Sequence, residues 1–189
     1  MKPPENVNRC RPGYGASCAL CCGSHNYASG PEKTDAVFRR RGRVFRESLP
    51  LIEQGILSPK ELKHELGTPV EKLKYPDAMQ CPYTGYLEEN DSVISCLAYA
   101  HPAVLEPEYC RFFTGTCKNY YCNAWHQLAD EEVLFAARLT RDWYCYSLFI
   151  SDIPFLKKTF SNLGPEYEVQ PGRAGEIIRE LLTRNCIHA

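Results

Sequence analysis

The sequence lacks three features that would place it in a common functional class: a charge excess, a long hydrophobic run and a catalytic motif. The formal net charge is −1, from 22 basic and 23 acidic residues, which argues against a dedicated binder of nucleic acid or of a membrane surface. The most apolar run, Trp143–Ile150, is far shorter than a membrane span. Because the residues after Met1 contain no apolar signal segment, we expect a cytoplasmic protein.

Motifs of the familiar enzyme classes are missing too. Gly13-Tyr14-Gly15 lacks the third glycine and the flanking strand of a dinucleotide-binding loop. His64-Glu65 lacks the second histidine of a zinc protease, and no G-x-S-x-G segment is present. The C-x3-C-x2-C triad of radical S-adenosylmethionine enzymes is also absent. The sequence therefore indicates no substrate.

Cysteine is what the chain has in abundance. Nine of its eleven cysteines lie between Cys10 and Cys122, and we interpret the other two, Cys145 and Cys186, as packing residues. In a reducing compartment so many thiols are not typical of a disulfide framework but of metal ions or iron–sulfur clusters. The predicted metal ligands are the nine clustered cysteines: Cys10, Cys18, Cys21, Cys22, Cys81, Cys96, Cys110, Cys117 and Cys122.

The cysteines also suggest how the chain is organised. We expect a single compact domain over residues 1–189, with a metal-binding region at 10–125, a helical insertion at 31–80 and further helices at 126–189. The predicted fold class is mainly α, with irregular cysteine-rich loops and at most a short β-hairpin.

Caps and periodicity predict individual elements. Apolar residues from Val37 onward follow helical spacing, with an interruption expected near Pro50. Ser58-Pro59-Lys60-Glu61 is a capping box. The remaining predictions are a helix capped by Asp130 and reaching about Phe149, another capped by Ser151 and ending at Gly164, a final helix that includes Ala174 and Leu182, and a hairpin pairing Tyr83–Leu87 with Ser92–Tyr99.

The first cysteine segment suits a metal centre. Cys18 and Cys21 are separated by two residues, so both can bind one centre from a single turn of backbone. The vicinal Cys21–Cys22 pair cannot easily place both sulfurs on one small ion. Either one of the two ligates while the other packs, or each faces a different centre.

Taken in order, the cysteine motifs resemble the YkgJ-like family, a zinc- or iron-chelating domain of the CxxCxxCC type. The matches are Cys18, Cys21 and Cys22; Cys81-Pro82-Tyr83; Cys96 with Tyr99 and Pro102; and Cys110-Arg111-Phe112-Phe113. The resemblance covers roughly residues 10–125 and implies that these cysteines bind metal. Gly15 stands where the leading cysteine of the family falls, so Cys10 is its expected replacement. Cys117 and Cys122 are additions to the family pattern and leave room for a second centre.

The spacing favours iron–sulfur over zinc. After the single C-x2-C, the cysteines from Cys81 to Cys122 are separated by 14, 13, 6 and 4 residues, whereas structural zinc sites show paired short knuckles. A [4Fe-4S] cluster can collect cysteines from dispersed loops, and nine thiolates would supply one or two clusters. His25, His101 and His126 lie near cysteines and are alternative ligands.

The leading functional hypothesis is an iron–sulfur protein for electron transfer, redox sensing or structural support, with an unidentified redox or protein partner. One alternative is a zinc-stabilised interaction module. Another, implied by the resemblance alone, is an enzyme like the S-adenosylmethionine-dependent protein lysine N-methylases. The basic run Arg39–Arg43 is interpreted as a solvated helix face rather than a nucleic-acid patch. We therefore expect neither a nucleic-acid nor a membrane partner.

Overall fold

The structure, a computed structural model, describes residues 7–67, 71–78, 80–105, 117, 120–165 and 167–186. Within these residues the chain is mainly helical and carries one antiparallel two-stranded sheet, which confirms the predicted fold class. The contacts divide the chain into two compact units. Unit 1 consists of Met1–Cys18 and Tyr121–Ala189, and unit 2 is Ala19–Tyr120. That the two form a single domain stays a prediction.

Unit 2 is built around one long helix. Its elements are a 3₁₀ turn at Leu20–Cys22, α1 at Pro31–Glu53, α2 at Pro59–Gly67, β1 at Thr84–Tyr86, β2 at Ile94–Cys96, α3 at Leu97–Ala100 and α4 at Pro102–Leu105. The buried side of α1 repeats every three or four residues and consists of Thr34, Val37, Phe38, Arg41, Gly42, Phe45 and Ser48. This spacing places one stripe of the helix against the rest of the unit.

The hairpin packs closely on α1. The strands pair Thr84 with Cys96 and Tyr86 with Ile94, within the segments predicted from the sequence. At Gly42 the helix and the hairpin meet backbone to backbone, since a Cβ atom there would lie 2.1 Å from the Tyr86 carbonyl oxygen. Glycine alone permits this approach.

Two predictions about the helices of unit 2 have different outcomes. The capping box is confirmed, because the Glu61 carboxylate accepts from the Ser58 N–H at 2.8 Å and the Glu61 N–H donates to the Ser58 hydroxyl at 3.2 Å. The interruption near Pro50 is wrong, since α1 continues to Glu53. Pro50 lies in the last turn, where Leu49 and Ile52 still pack on the core and hold the helix together despite one missing N–H donor.

Unit 1 packs its helices around aromatic residues. It contains α5 at Asn123–Gln127, α6 at Asp130–Thr140, α7 at Trp143–Ser151, α8 at Ile153–Leu163 and α9 at Pro171–Cys186. Fully buried Tyr146, Phe149 and Leu156 are part of its core. Among the described helices, none combines the length and apolar character needed to cross a bilayer.

The single helix predicted from Asp130 to Phe149 is wrong, because the chain turns at Arg141. Arg141 adopts a left-handed conformation with φ 55° and ends α6. Asp142 then begins α7 by accepting the Cys145 N–H at 2.7 Å. Similarly, the cap of α8 is Asp152 rather than Ser151, since the Asp152 carboxylate accepts the Phe155 N–H at 3.2 Å.

The first described residues of the chain are tied into unit 1. The Arg9 guanidinium pairs with the Asp130 carboxylate at 2.6 Å, and the Val7 N–H donates to the same carboxylate at 3.3 Å. Asp130 thus lies inside α6 and binds the early segment instead of capping the helix. The Tyr146 hydroxyl donates to the Arg9 carbonyl at 2.8 Å. These bonds position Cys10, the next residue in the chain, beside α7.

Candidate metal centre

In unit 2 the vicinal cysteines stand on a tight turn. The Cys22 N–H donates to the Ala19 carbonyl at 3.0 Å, and the Gly23 N–H donates to the Leu20 carbonyl at 3.0 Å. Gly23 has φ 87°, a left-handed conformation that glycine adopts readily. The turn brings the thiols of Cys21 and Cys22 into hydrogen-bond contact with each other.

Cys81 reaches the same place from a separate loop. Its N–H donates to the Cys22 carbonyl at 3.1 Å, and its thiol is in hydrogen-bond contact with the Cys22 thiol. We call Cys21, Cys22 and Cys81 the thiol trio. Cys22 is its central member, since it contacts both of the others.

Hydrogen bonding separates the acidities of the trio. The contact with Cys22 lowers the pKa of Cys21 to about 7 and that of Cys81 to about 6, although burial acts in the opposite direction on both. The contacts with Cys21 and Cys81, together with burial, raise the pKa of Cys22 far above its usual range. Near neutral pH the trio therefore keeps its proton on Cys22, Cys81 is mostly a thiolate and Cys21 is partly ionised.

A buried arginine supports Cys81. The Arg41 Nη1 donates to the Cys81 carbonyl at 3.0 Å and the Nε donates to the Leu66 carbonyl at 3.1 Å. Burial lowers the pKa of Arg41, and its positive charge helps to lower the pKa of Cys81. In the sequence Arg41 belongs to a basic run predicted to be exposed, and this role was not predicted. Its position four residues after Val37 and four before Phe45, on the buried stripe of α1, was the signal that could have revealed it.

Cys96 lies next to the trio in the fold. It pairs with Thr84 across the hairpin, and Thr84 follows Cys81 by three residues in the chain. Cys22, Cys81 and Cys96 all belong to or pack against one buried apolar cluster. Of the described cysteines, Cys96 is thus the candidate for a fourth sulfur ligand at the trio.

Unit 1 gathers a different set of cysteines. The Cys18 N–H donates to the Cys10 carbonyl at 2.9 Å, so the two cysteines face each other across a short loop. Cys122 precedes α5, whose Trp125 ring lies 4.9 Å from the Arg9 guanidinium. Cys18 and Cys122 both pack against the core that contains Tyr146.

The three cysteines of unit 1 converge on one phenol. Burial is the largest cause of a strongly raised pKa at Tyr146, and the charges of Cys18, Cys10 and Cys122 raise it further. We call Cys10, Cys18 and Cys122 the tyrosine-side group. Cys18 belongs to unit 1 and Cys21 to unit 2, and that the two bind one centre stays a prediction. Nothing in the sequence indicated this role for Tyr146, because no local pattern connects it with Cys10 and Cys18, more than 120 residues earlier in the chain.

The other predicted ligands have separate surroundings where the structure describes them. Cys110 lies outside the described residues, as do Arg111, Phe112 and Phe113, while Cys117 is exposed. Ring contacts join His101 to Phe45 and His126 to Tyr121. His25 Nδ1 lies 2.9 Å from the Ser24 hydroxyl.

The packing prediction for Cys145 is confirmed, since Cys145 lies against the unit 1 core. The side chain of Cys186 is outside the described residues. None of the nine cysteines whose side chains are described takes part in a disulfide bond. In the described part of the chain, no three His, Cys, Asp or Glu side chains have the geometry of a formed metal site.

Comparison with known proteins gives no match. No family model, curated protein or solved structure matches this chain. The resemblance to the YkgJ-like family stays a prediction that rests on the motifs alone. The chemistry of the two cysteine groups therefore has to carry the functional argument.

Proposed function

We propose that this protein binds metal through its cysteines and that iron–sulfur clusters are the occupants. One centre takes the thiol trio with Cys96, and a second takes the tyrosine-side group. The observation that carries the proposal is the convergence of Cys21 and Cys22, on one turn, with Cys81, whose N–H donates to the Cys22 carbonyl at 3.1 Å from a separate loop. The pKa of Cys21 is lowered to about 7 and that of Cys81 to about 6. A thiolate rather than a thiol is the form that binds metal, so these two side chains need little further proton loss at neutral pH.

The donor set of the trio fits the proposed occupant. All four candidate ligands are sulfur, which suits iron–sulfur clusters and zinc better than hard cations. They come from a 3₁₀ turn, a loop and a strand, and a cluster can collect ligands from such separated segments. When bound, the cluster would supply one-electron chemistry. The chain's own contribution is Arg41, which brings positive charge close to a site rich in thiolates.

The biological role follows from this chemistry. An iron–sulfur centre equips the protein for electron transfer, for redox sensing or for holding loops together, and a cytoplasmic location would keep its thiols reduced. A zinc-stabilised interaction module is the competing proposal, since four sulfurs also suit zinc. No observation favours the methylase-like alternative.

The test is anaerobic purification followed by analysis of iron, acid-labile sulfide and zinc. We expect brown protein with matched iron and sulfide. Stoichiometric zinc without sulfide would establish the zinc-stabilised alternative. Protein that holds none of these elements after reconstitution with iron and sulfide would contradict metal binding altogether.

Variants assign the metal to the two groups. Cys22→Ala and Cys122→Ser should each remove about half of the bound iron, because each disrupts one centre and leaves the other. Cys145→Ala is the matched control and should retain all of it, since Cys145 packs in the core and keeps its proton. Circular dichroism confirms that each variant remains folded. Full iron content in Cys22→Ala would refute the assignment to the trio.

A further inference from the structure

The exposed side of α1 carries a second feature, separate from the cysteines. Four arginines on this helix and the end of the β1–β2 hairpin enclose a cavity of about 300 Å³. The arginines are Arg39, Arg40, Arg43 and Arg46, and the hairpin contributes Tyr86, Glu88 and Glu89. We call this cavity the arginine pocket. Its volume is at the lower end of the range for small-molecule sites.

Two of the arginines are fixed in place and form the walls of the pocket. The Arg39 guanidinium pairs with Asp35 at 2.8 Å, donates to the Glu89 carbonyl at 3.2 Å and lies 4.3 Å from the centre of the Tyr86 ring. The Arg46 Nη1 donates to the carbonyls of Tyr86 and Leu87 at 3.2 and 2.9 Å. Ordering these side chains has already cost entropy during folding, so a ligand meets a preformed wall.

The other two arginines have their donors available. Within the described part of the chain, neither Arg40 nor Arg43 makes a side-chain hydrogen bond or an ion pair, and the same holds for the carboxylates of Glu88 and Glu89. Arg40 is half-buried and Arg43 is exposed. A solvated helix face accounts for an exposed arginine on a convex surface. It does not account for two unpaired guanidinium groups lining a concave space whose other arginines are anchored.

We propose that the arginine pocket binds a small phosphate monoester that also carries hydroxyl groups. Arg40 and Arg43 donate to the phosphate oxygens, which match the planar fork of a guanidinium group. Glu88 and Glu89 accept from the hydroxyl groups of the same ligand. The two carboxylates would repel the successive phosphates of a nucleic acid, and the chain has no net positive charge, so a small ligand fits better than a polymer.

Calorimetric titration of the full chain tests the proposal. The probes are adenosine monophosphate, ribose 5-phosphate, inorganic phosphate and adenosine, and a single-stranded RNA oligonucleotide serves as the polymer probe. We expect saturable binding of the first two, about tenfold weaker binding of inorganic phosphate and no binding of adenosine. Comparing adenosine monophosphate with ribose 5-phosphate shows whether the ligand is a nucleotide or a sugar phosphate.

Paired charge variants locate the site. Arg40→Gln with Arg43→Gln should weaken binding at least about tenfold. Lys33→Gln with Lys60→Gln removes the same charge from exposed positions of unit 2 that do not line the pocket, and it should leave affinity unchanged. If both pairs of substitutions weakened ligand binding equally, the loss would come from the change in overall charge rather than from the pocket, and the proposal would be overturned. Three other results would also overturn the proposal. They are the absence of saturable binding at about 1 mM ligand, equal affinity for inorganic phosphate and its esters, and binding of the RNA but of none of the small ligands.

Discussion

Cys81 and Cys145 carry the same side chain, but their neighbours move its pKa in opposite directions. The hydrogen bond from Cys22 and the charge of Arg41 act on Cys81 and lower its pKa to about 6. Burial and the neighbouring Asp142 carboxylate raise the pKa of Cys145 to about 12. At neutral pH the first is a thiolate and the second a thiol. The counting of cysteines in the sequence could not make this distinction, since it depends on what each sulfur contacts.

Alkaline pH should therefore weaken the fold through Cys145. The folded pKa lies above the unfolded one, so the thiol's contribution to stability is complete below about pH 9 and is lost as the pH rises toward 12. We expect the difference in unfolding free energy between the wild type and Cys145→Ala to be constant up to about pH 9. Above that, it should shift against the wild type.

Urea unfolding at pH values from about 7 to 11 measures this difference. Other titrating groups are present in both proteins and cancel when the two curves are subtracted. Parallel curves over the whole range would show that the Cys145 environment in solution differs from the one described here.

At the level of elements, α1 and the hairpin are joined where Gly42 meets the Tyr86 carbonyl. A methyl group at Gly42 would lie 2.1 Å from that oxygen, and backbone atoms cannot move aside as a flexible side chain can. We expect Gly42→Ala to destabilise the protein by at least about 3 kcal/mol. Thermal or urea unfolding gives the value.

Gly175→Ala is the matched control for this substitution. Gly175 lies in α9, and nothing comes within 4 Å of a Cβ placed there. The same chemical change should stabilise the protein by about 1 kcal/mol, because alanine is the better helix former. Similar losses in both variants would mean that the close approach at Gly42 is not what the structure indicates.

Local sequence signals predicted most of the elements. Apolar periodicity located α1 and α9, the capping box located α2, and the candidate strand at Ser92–Tyr99 located the hairpin. The break between α6 and α7 was not predicted, because the residue in the left-handed conformation is Arg141 rather than glycine. The usual sequence signal for a helix end is therefore missing. The continuation of α1 through Pro50 was not predicted for a different reason. Proline usually interrupts a helix, but here the packing of the neighbouring side chains on the core outweighs that local effect.

At the scale of the whole molecule, metal binding should be coupled to the order of the cysteine loops. The segments 10–28 and 80–86 are connected mainly by loop contacts, such as the bond from the Cys81 N–H to the Cys22 carbonyl. If these segments bind metal as proposed, its removal would leave charged thiolates that repel one another. We expect their amides to exchange faster in the metal-free protein, whereas those of α8 keep their protection.

Hydrogen exchange on metal-loaded and metal-free protein makes the comparison, with α8 as the internal reference. Faster exchange throughout the chain would indicate global unfolding rather than local loosening. Equal protection of the two cysteine segments in both forms would show that the loops hold their shape without metal.

The distribution of cysteines between the units could not be predicted from spacing. The sequence suggested that vicinal Cys21 and Cys22 could face different centres, but their thiols contact each other. The boundary between the units follows Cys18, inside the C-x2-C segment, and that Cys18 and Cys21 bind one centre stays a prediction. Which unit each cysteine belongs to depends on long-range packing, such as the hydrogen bond from the Tyr146 hydroxyl to the Arg9 carbonyl.

Unit 2 is one continuous stretch, Ala19–Tyr120, whereas unit 1 joins an early segment to a late one. A ribosome therefore adds Cys21, Cys22, Cys81 and Cys96 before it adds Cys122 and Tyr146. Because chains begin folding as they emerge, the trio can assemble on a nascent chain while Cys10 and Cys18 still wait for their partners. If the proposed centres form, we expect the one in unit 2 to be the first whose cysteines are all available, because the cysteines assigned to unit 1 include Cys122.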